Sequence, residues 1–135
     1  LAGARILLAE DGRDNQRLIT LLLRRFGATV TVAENGKVAV AALCEGHDLE
    51  QGLQSPAPFD LVLLDMQMPE MDGYAAAALL REKGYTGPMI ALTANALSGD
   101  RERCLAAGCD DYVRKPVNRD ELFAACERAH SGPTS

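Results

Sequence analysis

Five short apolar runs alternate along this chain with segments of helical periodicity, and this alternation restricts the possible folds more than any other feature of the sequence. Three of the runs, at 5–9, 61–64 and 89–92, are continuously apolar, the first of them after its opening Arg5. Continuous apolar runs of this length are typical of strands that are buried on both faces of a parallel sheet. The other two runs, at 28–33 and 112–113, contain polar residues or are very short.

The segments between the runs have the spacing of amphipathic helices. Residues three and four apart lie on the same side of a helix, so the first segment is expected to bury one face, made of Leu18, Leu21, Leu22 and Phe26. Further helices are predicted at about 36–46, 74–83 and 97–107, each of the last two followed by a glycine. A fifth begins after Asn118, which can cap it, and is expected to bury Leu122, Phe123 and Cys126. Five strand–helix repeats predict a doubly wound α/β domain.

Length and charge narrow the possible functions. The 135 residues suit one domain, which we place at 1–130, with a tail or linker at 131–135. A net charge of -5 argues against a domain that itself grips nucleic acid. No apolar run approaches the roughly 18 residues that a bilayer-spanning helix needs, and no signal-peptide stretch opens the sequence. We expect a cytoplasmic location and no membrane contact by this domain.

The cysteines and one long connection have less specific interpretations. The cysteines form no C-x-x-C pair, so we interpret them as small apolar residues in a reducing cytosol rather than as zinc ligands or disulfides. The segment 45–58 is long for a connection from a helix to a strand, and a tolerated surface insertion is favoured over a partner-specific contact. The four cysteines are Cys44, Cys104, Cys109 and Cys126.

Polar side chains follow four of the five apolar runs. In an open α/β sheet, the ligand site lies beyond the carboxyl ends of the strands. We therefore expect these side chains to converge at one edge of the sheet. Glu10 and Asp11 follow the first run, Asp65 follows the third, Thr93 follows the fourth, and Arg114-Lys115-Pro116 follows the fifth.

These groups together indicate phosphoryl transfer. The carboxylates of Glu10, Asp11 and Asp65 would repel one another without a cation between them. Oxygen-rich carboxylate surroundings suit Mg2+, which keeps several waters and binds through one or two carboxylates. A hydroxyl at Thr93 and an ammonium at Lys115 are groups that hold the oxygens of a transferring phosphoryl group. A carboxylate can act as the nucleophile and form an aspartyl phosphate.

With this set in its order, the chain resembles response-regulator receiver domains of two-component systems along nearly its whole length. Any single short motif is weak, but the ordered set is specific. The resemblance implies a flavodoxin-like (βα)5 fold, with five parallel strands in the order 2-1-3-4-5. It is carried by Glu10-Asp11, Asp65 with Met68-Pro69 and Met71-Asp72-Gly73 behind it, Thr93-Ala94, 108–112 and Lys115-Pro116. Asp14-Asn15-Gln16, 66–69 and 92–96 look most like the receivers of hybrid sensor histidine kinases.

The resemblance also implies roles for the matching residues. Asp65 would be the phosphoacceptor, and Thr93 and Lys115 would contact the phosphoryl oxygens. Asp11 and Asp65 would bind Mg2+ directly, with the backbone carbonyl of Gln67, and Glu10 would act through a metal-bound water.

Two further roles concern switching and phosphate lifetime. Tyr112 matches the switch aromatic, which turns inward as Thr93 moves toward the phosphate; packing on an edge strand is its structural alternative. Gln67 and Asn95 lie two residues beyond Asp65 and Thr93, where they would tune the access of water to the phosphoryl group. The implied output face comprises the fourth helix, fifth strand and fifth helix, and its partner is a downstream output domain or protein.

The implied phosphodonor is a phosphohistidine of a histidine kinase or histidine phosphotransfer domain. The domain would catalyse its own phosphorylation and dephosphorylation, and its parent protein is interpreted as a hybrid histidine kinase. A stand-alone response regulator and a pseudoreceiver that only binds a partner stay open as alternatives. A phosphatase of the haloacid dehalogenase type is disfavoured, because Gln67 stands where that type has a second aspartate.

Overall fold

Strands and helices alternate strictly in the part of the chain that the structure describes. A computed structural model describes residues 3–44, 59–68, 72–83, 85, 87–93 and 98–131. The strands are β1 (Arg5–Ala9), β2 (Thr29–Ala33), β3 (Leu61–Asp65), β4 (Met89–Thr93) and β5 (Asp111–Arg114). The helices are α1 (Arg13–Arg25), α2 (Gly36–Cys44), α3 (Gly73–Glu82), α4 (Ser98–Ala107) and α5 (Arg119–Ser131).

The five strands form one parallel sheet in the order β2-β1-β3-β4-β5. Its register pairs Ala9 with Leu64, Asp65 with Leu92, and Thr93 with Arg114. The carboxyl ends of β1, β3, β4 and β5 therefore lie at one edge of the sheet. The predicted fold class and strand order are confirmed.

Helices cover both faces of the sheet. Along β1, Leu7 faces a core formed with α2, α3 and α4, while Ile6 and Leu8 face a second core formed with α1 and α5. Side chains alternate between faces because the side-chain period of a strand is two residues. All residues of β3 and β4 are buried, as their apolar runs predicted, whereas β2 at the sheet edge is mostly exposed.

Two helices differ from prediction in the apolar residues that they bury. In α1 the inward face contains Ile19, Leu22 and Leu23, whereas Leu18 is 42% exposed and Leu21 is 51% exposed. The prediction was wrong for these two leucines because α1 has adjacent apolar stripes, and only packing against the sheet selects one of them. In α5 Leu122 and Cys126 are buried as predicted, but Phe123 is 38% exposed.

Local signals at the helix ends agree with the structure. Asn118 Oδ1 accepts hydrogen bonds from the backbone N–H groups of Asp120 (2.9 Å) and Glu121 (3.2 Å), so the predicted cap of α5 is confirmed. Gly108 follows α4 with a φ of 114°, a left-handed conformation that favours glycine. The helix α5 extends through Ser131, the first residue of the predicted tail.

Some predictions fall on residues that the structure does not describe. The connection 45–58, the loop residue Asn95 and the tail beyond Ser131 lie outside the described residues. Within the described part, no helix has both the length and the apolar composition that a transmembrane span requires.

Two buried thiols are expected to react slowly with alkylating reagents in the folded protein. Cys109 and Cys126 are buried in the two cores, and this burial raises the pKa of each thiol to about 12. The thiolate is the reactive form, so at pH 8 both cysteines should react slowly with iodoacetamide in the folded protein and readily in guanidinium chloride. Peptide mapping by mass spectrometry after a brief exposure to iodoacetamide measures the labelling of both cysteines. Fast labelling of either cysteine in the folded protein would contradict its placement.

Candidate functional site

Four of the predicted site residues lie together at the carboxyl edge of the sheet. Glu10 directly follows β1, Asp65 ends β3, Thr93 ends β4, and Lys115 directly follows β5. The first three are almost fully buried, with exposed fractions of 1%, 3% and 4%. A hydrogen bond from the Lys115 backbone N–H to the Thr93 carbonyl (2.7 Å) joins the ends of β4 and β5. The convergence expected from the strand ends is therefore present.

The ammonium of Lys115 lies between two buried carboxylates. Its Nζ atom is 2.9 Å from Asp65 Oδ2 and 3.0 Å from Glu10 Oε2. Burial lowers the pKa of Lys115, but hydrogen bonds and the charges of Asp65 and Glu10 outweigh burial and raise this pKa above its usual value. Lys115 therefore stays protonated at neutral pH.

Asp65 is shifted toward its neutral form. Burial is the largest cause that raises the pKa of Asp65, and the charge of Glu10 raises it further. The backbone N–H of Gln67, which donates to Asp65 Oδ1 over 3.0 Å, and Lys115 oppose the shift without cancelling it. The pKa of Asp65 is therefore raised, and its carboxylate is less stabilised than an exposed one.

The acidic residues can hold a metal ion. Glu10, Asp11 and Asp65 each offer one carboxylate oxygen, and these three atoms lie within 4.8 Å of one another. Asp11 is exposed, so water can reach the group from its side. The ligands are oxygen atoms only, and one ammonium does not neutralise three carboxylates. A small divalent cation that keeps part of its water shell, such as Mg2+, fits both the ligand type and the charge.

The first turn of α1 contacts Glu10, a role that the sequence analysis missed. Glu10 Oε1 accepts hydrogen bonds from the Gly12 backbone N–H (3.1 Å) and from Asn15 Nδ2 (3.3 Å). Gln16 Nε2 donates to the Glu10 carbonyl oxygen over 2.6 Å. Asn15 and Gln16 were singled out only for their resemblance to hybrid-kinase receivers. The sequence does carry a signal for this role, because two side-chain amides lie five and six residues beyond Glu10, at the start of a helix.

Gly73 is required by close packing. A Cβ at Gly73 would overlap the carbonyl oxygen of Asp65 and the Met66 side chain. Gly73 is the first residue of α3. Its missing side chain lets α3 begin directly against the end of β3, and Asp72 caps the helix by accepting from the Ala75 backbone N–H over 2.9 Å.

The substitution Gly73→Ala is expected to disturb both the fold and the site. The added methyl group must displace the backbone of Asp65, and overpacking of this kind costs about 1–3 kcal/mol. Urea denaturation should show that loss. Unchanged stability of Gly73→Ala would refute the close approach.

Tyr112 lies on the strand next to the one that ends at Thr93. It belongs to β5, is partly buried against the core of α2–α4, and lines a groove of about 510 Å³. The groove also includes Leu105 of α4, Arg114 of β5 and Arg128 of α5. The structure thus presents a concave surface on the α4-β5-α5 side.

Gln67 is exposed beside Asp65.

Comparisons with known proteins agree with this geometry. A family model described as the response regulator receiver domain matches residues 6–127. Histidine kinase 1 of Arabidopsis thaliana is 39% identical over an alignment that covers 88% of this chain and 12% of that protein. The chain therefore spans a small part of that relative's length.

Two crystal structures are similar in both fold and sequence. The receiver domain of a sensor histidine kinase from Pseudomonas aeruginosa, with a magnesium ion coordinated in its active site cleft, has a TM-score of 0.81 and 41% identity, over 97% of this chain and 100% of that one. A chain in the complex of a Saccharomyces cerevisiae histidine phosphotransfer protein with the receiver domain of its downstream response regulator has a TM-score of 0.75 and 27% identity, over 95% of this chain and 87% of that one.

Proposed function

Since this chain belongs to the response regulator receiver domain family, we propose that it accepts a phosphoryl group from a phosphohistidine onto Asp65 in a Mg2+-dependent reaction. The observation that carries this proposal is the placement of the Lys115 ammonium, 2.9 Å from a buried Asp65 carboxylate that shares its surroundings with Glu10 and Asp11. This arrangement combines a nucleophile, a cation and ligands for a metal ion in one place.

The reaction needs one bond to form and one to break. A carboxylate oxygen of Asp65 attacks phosphorus, the new O–P bond forms, and the P–N bond of the phosphohistidine breaks. The departing imidazole nitrogen keeps the electron pair of the P–N bond and takes up a proton from water. Lys115 Nζ, now beside Asp65 Oδ2, contacts an oxygen of the incoming phosphoryl group, and Thr93 at the end of β4 supplies a hydroxyl to another.

Mg2+ would be held by Asp11, Asp65 and the Gln67 carbonyl, with Glu10 acting through a metal-bound water. When bound, the ion offsets the negative charge that the phosphoryl group adds. Burial of Glu10 and Asp65 keeps most water away from the acceptor. Gln67, which is exposed, and Asn95, which lies outside the described residues, would tune the access of water to the acyl phosphate.

Phosphorylation would change the α4-β5-α5 surface. Thr93 and Tyr112 are on adjacent strands, and Tyr112 lines the groove that α4, β5 and α5 form. Attraction of Thr93 to the phosphoryl oxygens favours an inward position of the Tyr112 ring, which alters the groove. This is a shift between two conformers, set by the difference in their affinity for the phosphoryl group.

We place the domain in a hybrid sensor histidine kinase, with a histidine kinase or histidine phosphotransfer domain as its donor. The similarity to plant and bacterial histidine kinases, and to a receiver crystallised with a phosphotransfer protein, supports this context. A stand-alone response regulator is the second candidate. A pseudoreceiver is disfavoured, because such a domain has no need for the complete set of site residues.

The test is incubation with acetyl phosphate, with Mg2+ and with EDTA in its place. Phosphate-affinity electrophoresis should show a slower band only with Mg2+, and hydroxylamine should remove it, since hydroxylamine cleaves acyl phosphates. Peptide mapping should place the modification at Asp65. No modification, or modification at another residue, would refute the proposed function.

A further inference from the structure

We propose that Asn15 is a positioning residue of this site, which orients the Glu10 carboxylate through a hydrogen bond to one of its two oxygens. The proposal rests on the proposed function, because it adds a part to the same phosphoryl-transfer site. It assigns to α1 a direct influence on the affinity for Mg2+.

The two oxygens of Glu10 have different surroundings. Oε1 accepts from the Gly12 backbone N–H (3.1 Å) and from Asn15 Nδ2 (3.3 Å). Oε2 is 3.0 Å from Lys115 Nζ, and no other donor among the described residues reaches Oε2. One oxygen is thus fixed to α1, while the other points toward Lys115 and Asp65.

The chemistry of the pair determines how the Asn15 amide is oriented. A carboxylate can only accept hydrogen bonds, so the amide must direct its NH2 group, not its oxygen, toward Glu10. A charged acceptor makes this bond stronger than a bond between neutral groups. Asn15 therefore has a defined orientation toward the Glu10 carboxylate.

A glutamate at this position needs such a restraint more than an aspartate does. The glutamate side chain has one more rotatable bond, and fixing that bond costs conformational entropy. Gln16 Nε2 fixes the Glu10 backbone through its carbonyl oxygen (2.6 Å), but it leaves the side-chain torsions free. Among the described residues, Asn15 supplies the side-chain donor to the Glu10 carboxylate besides Lys115.

The start of α1 leaves little space between the two groups. Gly12 is the N-cap residue of α1 and provides no side-chain cap. A Cβ at Gly12 would lie 3.2 Å from Glu10 Oε1 and 3.6 Å from Asn15 Nδ2. The absence of a side chain at Gly12 therefore keeps the gap between carboxylate and amide open for the hydrogen bond.

The inference is tested by Mg2+ affinity, measured by isothermal titration calorimetry. Asn15→Leu removes the donor at nearly equal size, and Asn15→Ala is the second variant in case the first does not fold. Either should weaken Mg2+ binding about tenfold, at the low end of the effect of losing a hydrogen bond that orients the groups around a metal ion, because Glu10 acts through a water. Arg17→Ala, an exposed residue of the same helix, is the matched control and should leave the affinity unchanged.

A double-mutant cycle distinguishes positioning from a general loss of structure. Glu10→Asp shortens the side chain so that its carboxylate no longer reaches Asn15 in the same way. In that background, Asn15→Leu should change Mg2+ affinity less than twofold, because the contact is already lost. Equal losses in both backgrounds would overturn the inference.

The outcomes also separate this inference from the proposed function. If the wild-type protein binds Mg2+ and is phosphorylated, but Asn15→Leu binds Mg2+ equally well, only the role of Asn15 is refuted. If the wild-type protein binds no Mg2+, the proposed function fails and this inference fails with it.

Thermal unfolding in EDTA checks that the variants are folded, and the unfolding temperatures of Asn15→Leu and Arg17→Ala should be similar.

Discussion

The substitution Asp65→Asn is expected to reduce phosphorylation by acetyl phosphate to background while the metal-free domain becomes more stable. The amide has nearly the same size as the carboxyl group but cannot act as the nucleophile. Activity and stability therefore change in opposite directions, which distinguishes loss of the acceptor from unfolding. Phosphate-affinity electrophoresis measures the first effect and urea denaturation in EDTA the second.

The gain in stability follows from the pKa of Asp65. Burial raises this pKa, so the folded state binds the proton of Asp65 more tightly than the unfolded state does. For a group of this kind, stability decreases as the pH rises through the folded-state pKa, because the unfolded state then releases the proton more readily. The advantage of Asp65→Asn over the wild type should therefore grow between acidic and neutral pH.

An exposed aspartate provides the control for this prediction. Asp120 is in the first turn of α5 with an exposed side chain. The variant Asp120→Asn should therefore show normal phosphorylation, and its stability relative to the wild type should not rise between acidic and neutral pH as that of Asp65→Asn does. Residual phosphorylation of Asp65→Asn at the wild-type rate would identify a different acceptor. A loss of stability that is constant with pH would show that the ionised carboxylate is not disfavoured in the folded domain.

The substitution Arg81→Ala is expected to lower the free energy of unfolding by about 3 kcal/mol, more than any other substitution proposed for this domain. A hydrogen bond of a charged group contributes about 1.5–3 kcal/mol, but several such bonds of one side chain are not additive. Arg81 Nη1 donates to the carbonyl oxygens of Tyr85 (2.8 Å) and Gly87 (2.7 Å). Its Nε donates to the Gly108 carbonyl over 3.0 Å. One side chain thus joins the end of α3 to the loops before β4 and β5.

Arg81 also orders the carboxylate of Asp110, the residue directly before β5. Its Nη2 is 2.9 Å from Asp110 Oδ2, and the same oxygen accepts from the Met89 backbone N–H at the start of β4 (2.9 Å). Truncation would leave three backbone carbonyls without this donor and Asp110 without its cation. Part of that loss is offset by water, because the Arg81 side chain is 25% exposed.

The matched control is another arginine–aspartate pair. Arg128 Nη2 is 2.7 Å from Asp111 Oδ2, but the Arg128 side chain is largely exposed. Exposed ion pairs contribute about 0–1 kcal/mol, so Arg128→Ala should have a small effect. Urea denaturation of both variants at one pH measures the difference. Equal effects of the two substitutions would show that the carbonyl contacts of Arg81 add nothing to stability.

The sequence by itself determined the fold and the composition of the candidate site. The burial of β3 and β4 is visible in the sequence because a strand buried on both faces requires an unbroken apolar run. The cap at Asn118 is visible because it involves residues at most three positions away. The convergence of Glu10, Asp65, Thr93 and Lys115 follows from their places at the ends of parallel strands. Such features are encoded within a few neighbouring residues, or by the order of the motifs along the chain.

Only the tertiary structure decided which surfaces meet. It selected Ile19 rather than Leu18 for the buried face of α1, placed Gly73 against Asp65, and directed Asn15 toward Glu10. Arg81 meets partners 27 and 29 residues away, a pairing that no local pattern encodes. The physical reason is that these contacts depend on how helices pack on the sheet, which is set by the fit of many side chains at once and not by the periodicity of one segment.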